Sequence, residues 1–139
     1  MSRIPPALRR RVRRRADGIC EYCRSGSELT GHEFTVDHVT SESLGGGDEF
    51  DNRCWCCFWC NSFKQARFKA VDRKTGSMVP LFNPRSDGWD EHFRWSRYST
   101  RIIGKTPTGR ATVDALRLNR PVLVRARAVW VRHGLHPPM

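Results

Sequence analysis

Acidic side chains are scarce: 14 Asp and Glu stand against 25 Lys and Arg, and none precedes Asp17. The deficit leaves a formal net charge of +11 and a pI near 10.3. Such an imbalance says little about fold, but it favours a polyanionic partner, nucleic acid before membrane. Long apolar runs are also missing. No stretch approaches the roughly 18 residues of a spanning helix, so no membrane segment is expected. The opening MSRIPPALRRR lacks the apolar centre of a secretory signal, and a cytoplasmic protein is the expectation. Thiols stay reduced in that compartment, so the six cysteines point to metal ligation rather than disulfides. There is no internal repeat, linker or low-complexity block beyond an arginine run. A chain of 139 residues suits one domain with a modest core. We expect a single domain over 1–139, with a basic N-terminal helix (1–17), a cysteine-bearing core (18–70) and a C-terminal extension (71–139).

The N-terminal stretch holds seven arginines (Arg3, Arg9, Arg10, Arg11, Arg13, Arg14, Arg15). Pro5 and Pro6 suit a helix start, and Ile4, Leu8 and Val12 recur every four residues, giving one narrow docking stripe. Arg9, Arg10, Arg13 and Arg14 are then candidate phosphate contacts. Residues 33–40 alternate and are rich in β-branched side chains, which predicts a strand with Phe34 and Val36 on one face. Asp37 and His38 are strand neighbours and begin on opposite faces, so one must sit at a bend or strand end for both to serve one site. Residues 41–51 are polar and glycine-rich and predict a loop. From Asp51 or Asn52 to about Ala70 the pattern reads as a helix, with one of those two residues as its cap. Beyond it, turn signals predict a hairpin or extended arm within 71–88, a strand within 98–103, a helix near 109–118 stopped by Asn119, and a last helix near 121–133. That last helix would turn Val122, Ala126, Val129 and Trp130 to the core. Trp55, Trp59, Trp89 and Trp95 are assigned to the core, and His32, His92, His133 and His136 to surface or packing roles.

Two turns that each offer two thiolates can complete a tetrahedral shell of four sulfurs around zinc. Cys20 and Cys23 form one pair. The second is Cys57 with Cys60 or Cys54 with Cys57, since both have the same spacing. No thioredoxin-like βαβ pattern surrounds them, which disfavours a redox role.

The order CEYC, VDHV, a glycine-rich loop, DN and CFWCNSFK over residues 20–64 resembles the HNH endonucleases, in particular the subgroup with a four-cysteine zinc. The tail from TGSMVPLFNPRSDGW through EHFRW to GRATVDALRLNR resembles the extension of small bacterial HNH proteins. The resemblance implies an α+β fold: a ββα-metal (His-Me finger) core, two strands and a helix around one divalent ion, stapled by Zn²⁺. It selects Cys20, Cys23, Cys57 and Cys60 as zinc ligands and leaves Cys54 and Cys56 as buried thiols. It makes His38 the general base, a task an imidazole suits near neutrality. Asn52 would orient that imidazole, Asp37 and Asn61 would ligate the catalytic ion, and Lys64 would meet phosphate. An Asp/Asn oxygen set favours Mg²⁺ or Mn²⁺ over softer ions. The implied reaction is hydrolysis of DNA to 5′-phosphate and 3′-hydroxyl ends, by a monomer or homodimer with no membrane association. The alternative is a zinc-stabilised nucleic-acid-binding module that does not cut.

Overall fold

The computed structural model describes residues 4–139, so Arg3 of the arginine run lies outside the described residues. The chain forms two compact units, residues 1–66 with 83–86, and residues 67–82 with 87–139. Both mix short helices with two-stranded antiparallel sheets.

The first unit opens with α1 (Pro6–Arg15), whose first position is held by proline, where the fixed φ suits the helix and no amide hydrogen is missed. Val12 is fully buried, with Ile4 and Leu8 beside it half-buried. The arginines around this stripe are not all solvated. Arg9 donates to the Glu33 carboxylate and to the Phe34 carbonyl, both at 2.8 Å. Arg15 donates to the carbonyls of Phe50 and Arg53 and lies 3.8 Å from the centre of the Phe50 ring. After the Cys20–Cys23 turn and the single-turn α2 (Ser27–Thr30), β1 (Thr35–His38) pairs antiparallel with β2 (Arg53–Cys56), Asp37 opposite Cys54 and His38 opposite Arg53.

That second strand corrects the sequence reading, which ran one helix from Asp51 or Asn52 to Ala70. Apart from a 3₁₀ turn at Phe50–Asn52, only α3 (Phe58–Lys64) is helical, and its N-cap is Cys57, whose sulfur accepts from the Cys60 amide at 3.4 Å. Arg-Cys-Trp-Cys contains no β-branched residue and a single aromatic, so propensity gave only a weak strand signal. All four side chains are buried and the backbone pairs with β1, and tertiary pairing decides the conformation. Trp59 corrects a second expectation: it is 52% exposed on the outer face of α3, while Trp55 is buried.

In the second unit, β3 (Lys69–Val71) and β4 (Met78–Pro80) form a hairpin. The turn between them is organised by Asp72, whose carboxylate accepts from the Lys74 amide and the Thr75 hydroxyl. The one-turn α4 (Trp89–His92) leads into β5 (Phe93–Trp95), paired with β6 (Ile102–Gly104). α5 (Pro107–Ala115) is capped by the Thr106 hydroxyl and packs tightly on β6: a Cβ at Gly104 would stand 2.4 Å from the Arg110 amide nitrogen. α6 (Pro121–Arg132) buries Leu123 and Arg127, not the expected Val122, Ala126 and Val129 stripe. The cause is Arg127. Its guanidinium donates to the Thr100 carbonyl and the Asn119 side chain and lies 5.3 Å from the Trp95 ring centre, so the charge is satisfied inside. His136 is buried too, its ring 4.5 Å from Trp95 and its Nε2 3.0 Å from the Ser99 carbonyl oxygen. Among the described residues no helix is long and apolar enough to cross a membrane.

Candidate active site

The first unit brings four sulfurs together. Cys20 and Cys23 come from the turn after α1, and Cys57 and Cys60 from the cap and first turn of α3. One sulfur from each lies within 4.8 Å of all the others, in a fully buried setting. The Cys23 and Cys57 sulfurs are 3.8 Å apart. A zinc ion with bonds of about 2.3 Å in a tetrahedron needs sulfurs about 3.8 Å apart, so the donor set and its spacing fit that ion. Burial pushes the Cys20 thiol well above its ordinary range, and contacts with Cys20 and Cys23 push Cys57 and Cys60 up as well. Four thiols in a dry pocket lose their protons only when a cation takes up the charge. Cys54 and Cys56 stand outside this set: Cys54, held by burial at a pKa of about 12, approaches the Tyr22 hydroxyl, and Cys56 lies 3.4 Å from the Cys57 carbonyl oxygen.

Beside the sulfurs, β1, β2 and α3 place the polar residues. Asp37 faces α3. The Asn61 amide lies 3.2 Å from both Asp37 oxygens, and Lys64 Nζ lies 3.6 Å from one of them. With the nitrogen of Asn61 turned to the carboxylate it donates to both oxygens. With its oxygen turned there, the two residues offer a compact oxygen donor set for a hard divalent cation. Burial pushes the Asp37 carboxyl above its usual range, and the Lys64 charge pulls it partly back. Lys64 differs from the expected surface phosphate contact: its side chain is 4% exposed, and Nζ also donates to the His38 carbonyl at 3.3 Å.

His38 stands at the end of β1, the position that lets it leave the strand face. Its Nε2 lies 2.8 Å from an Asp48 carboxylate oxygen and 3.5 Å from one of Glu42. A carboxylate only accepts, so Nε2 carries the hydrogen and Nδ1 is left as the acceptor nitrogen. Asp48 is in turn held by Arg53, which donates from its terminal nitrogen to the carboxylate and from Nε to the backbone carbonyl, both at 3.2 Å. The hydrogen bond from His38 keeps the Asp48 carboxyl below its ordinary range, with Arg53 adding to the effect. Asp48 and Arg53 escaped the sequence reading. The signal was an acidic residue closing the glycine run ten positions after His38, in a chain poor in acids.

Asn52 touches the loop rather than the ring. Its side-chain oxygen accepts from the Thr40 amide, and its nitrogen donates to the carbonyls of Thr40 and Gly47 at 2.9 and 2.7 Å. Gly46 fits beneath this staple only as glycine, since a Cβ there would stand 1.8 Å from the Thr40 carbonyl oxygen. The loop that carries Asp48 to His38 is thus fixed at both ends.

With this arrangement in view, the comparison with known families is specific. Residues 20–75 match the family model of the HNH endonucleases. No curated protein and no solved structure matches the chain. The HNH segment takes in both cysteine pairs, β1, the glycine loop, β2 and α3, and ends in the β3–β4 turn. The matched segment is an α+β module with a clustered four-cysteine set, and the model it matches is that of an endonuclease family. Of the candidate residues, the fold gathers Cys20, Cys23, Cys57 and Cys60 at one point and Asp37, Asn61 and Lys64 at another. Arg9 and Arg13 face Glu33 and Glu28 within the first unit. Arg10 and Arg14 are exposed.

Proposed function

We propose that the protein is a metal-dependent endonuclease that hydrolyses DNA phosphodiester bonds. The observation that carries this reading is the HNH match over a ββα unit in which the Asn61 side chain lies 3.2 Å from the Asp37 carboxylate and the neighbouring His38, bonded through Nε2 to Asp48, has Nδ1 as its acceptor nitrogen.

His38 takes a proton from water at Nδ1 while Nε2–H remains bonded to Asp48. The water oxygen forms its new bond to phosphorus, the bond from phosphorus to the 3′-oxygen breaks, and that oxygen leaves with the electron pair and gains a proton from solvent. The ends are a 5′-phosphate and a 3′-hydroxyl. Asp37 and Asn61 hold a Mg²⁺ or Mn²⁺ ion, which supplies Lewis-acid stabilisation of charge on the phosphate and the departing oxygen. The Lys64 charge offsets part of the burial that raises the Asp37 carboxyl. Asn52 acts on the imidazole through the loop, by holding Thr40 and Gly47 in place. The four cysteines hold Zn²⁺ as a structural ion, fixing α3 and hence Asn61 against β1.

The test is cleavage of supercoiled plasmid by the zinc-loaded protein with Mg²⁺, Mn²⁺ or EDTA. Nicked or linear product should appear only with added divalent ion, and its ends should be ligatable without phosphatase or kinase treatment. Tight DNA binding with no cleavage in any divalent metal would instead establish a non-cutting, zinc-stabilised binding module.

A further inference from the structure

The positive charge is divided unequally between the units. The first unit carries 11 Lys and Arg against 9 Asp and Glu, a net of +2, and the second carries 14 against 5, a net of +9. The arginine run that dominates the N-terminus is offset by the acids of its own unit. In the second unit, three of the five acids face basic partners: Asp72 is buried against Arg110, Asp114 lies 3.3 Å from Arg73, and Asp87 lies 3.7 Å from the His92 ring nitrogen. A shallow groove of about 380 Å³ lies on this unit, between the turn after β5 and the outer face of α6. Its lining includes Tyr98, Thr100, Arg125, Ala128, Val129 and Arg132. Tyr98 is 69% exposed and Val129 41%, and the Arg97 guanidinium lies 5.3 Å from the Tyr98 ring centre. Arg97, Arg101, Arg125 and Arg132 are all exposed.

We infer that this groove is a second nucleic-acid contact, one that receives an unpaired nucleotide. The inference rests on the nuclease reading for the identity of the polymer. An apolar floor with an exposed aromatic ring suits a base face, which every nucleotide presents when unstacked and a paired one hides. Arginines at the rim suit the phosphates on either side. An acidic protein helix would also meet the arginines. The exposed Tyr98 with a cation beside its ring favours the nucleotide, because stacking between a base and an aromatic ring needs no shape match along a helix.

Binding of the full chain to fluorescently labelled single-stranded, gapped and blunt duplex DNA, at several salt concentrations without divalent metal, tests this. Tyr98→Ala should weaken binding to single-stranded and gapped DNA about tenfold and leave blunt duplex nearly unchanged. The pair Arg125→Ala and Arg132→Ala should weaken all three and flatten the log–log salt slope by about 1.4 to 1.8. Arg10→Ala with Arg14→Ala is the comparison on the first unit, and circular dichroism confirms that each variant is folded. Loss of binding only in the Arg10 and Arg14 variant, or none in any, overturns the inference. So does a Val129→Glu variant that abolishes self-association while DNA binding stays intact, since the groove then serves a second copy. Plasmid cleavage run in parallel separates the two readings: cleavage that persists while the groove variants bind normally removes this inference and leaves the nuclease standing. Weakened binding by the groove variants, with no cleavage by the wild type in any divalent metal, does the reverse.

Discussion

At the scale of single residues, the site is defined by what holds His38. A histidine ring free to rotate presents either nitrogen to solvent, and only one tautomer suits a base aimed at water. The Asp48 carboxylate at 2.8 Å selects that tautomer, and Arg53 holds Asp48. Asp48→Asn retains the size but allows the amide to donate as well as accept, so the selection is lost. Its kcat should fall about 10- to 100-fold, less than the roughly 10²- to 10⁴-fold a positioned base contributes, with zinc content and DNA affinity unchanged. An unaltered kcat would show that Asp48 is a bystander. His38 and Asp37 were legible in the sequence because their doublet sat between cysteine pairs. Asp48 was not, because its loop position brings it to His38 only after Asn52 and Gly46 have folded the chain between them. Lys64 was legible as a basic residue near the site but not as a buried one, since burial of a lysine depends on the carboxylate across from it.

At the scale of elements, the two cysteine turns matter most to the first unit. α3 has only seven residues, too few to be stable on helix propensity alone. Its cap, Cys57, and its buried Cys60 both belong to the four-sulfur set. Removing zinc with a strong chelator should therefore release residues 20–64 from hydrogen-exchange protection, and adding zinc back should restore it. Protection that survives chelation would mean the cysteines pack without a metal. Asn52→Ala should cost about 1–3 kcal/mol through the backbone groups left unpaired in the loop, seen as a lower urea midpoint. In the second unit, Arg110 binds Asp72 through two hydrogen bonds, and these hold the Asp72 carboxyl well below the usual carboxylate range. A depressed folded pKa means the stabilisation is complete above the unfolded value of about 3.9 and is lost as pH falls through the folded one. The melting-temperature gap between wild type and Asp72→Asn should thus be constant near neutrality and shrink in acid; a gap that does not change with pH would contradict the pairing. The hairpin and the last two helices were readable from their turn residues. β2 was not, because RCWC offers Trp55 as its one strand former, and neither was the buried face of α6, because an arginine occupies it.

At the scale of the whole molecule, net charge was plain from composition, and its placement was not. The sequence drew attention to the N-terminal arginines because they are consecutive. Folding then sets Arg9 and Arg15 to internal hydrogen bonds, and the unit that carries them is nearly neutral. The residues proposed for the chemistry lie in the first unit, and most of the net positive charge lies in the second. The claim on which the function depends is that His38 performs the chemical step without being needed to hold the DNA. Single-turnover cleavage of a labelled duplex in Mg²⁺, by wild type and by His38→Ala matched for zinc content and DNA affinity, measures this directly. The account predicts a loss of at least about a hundredfold in the cleavage rate of the variant. Equal rates in the two proteins would contradict it.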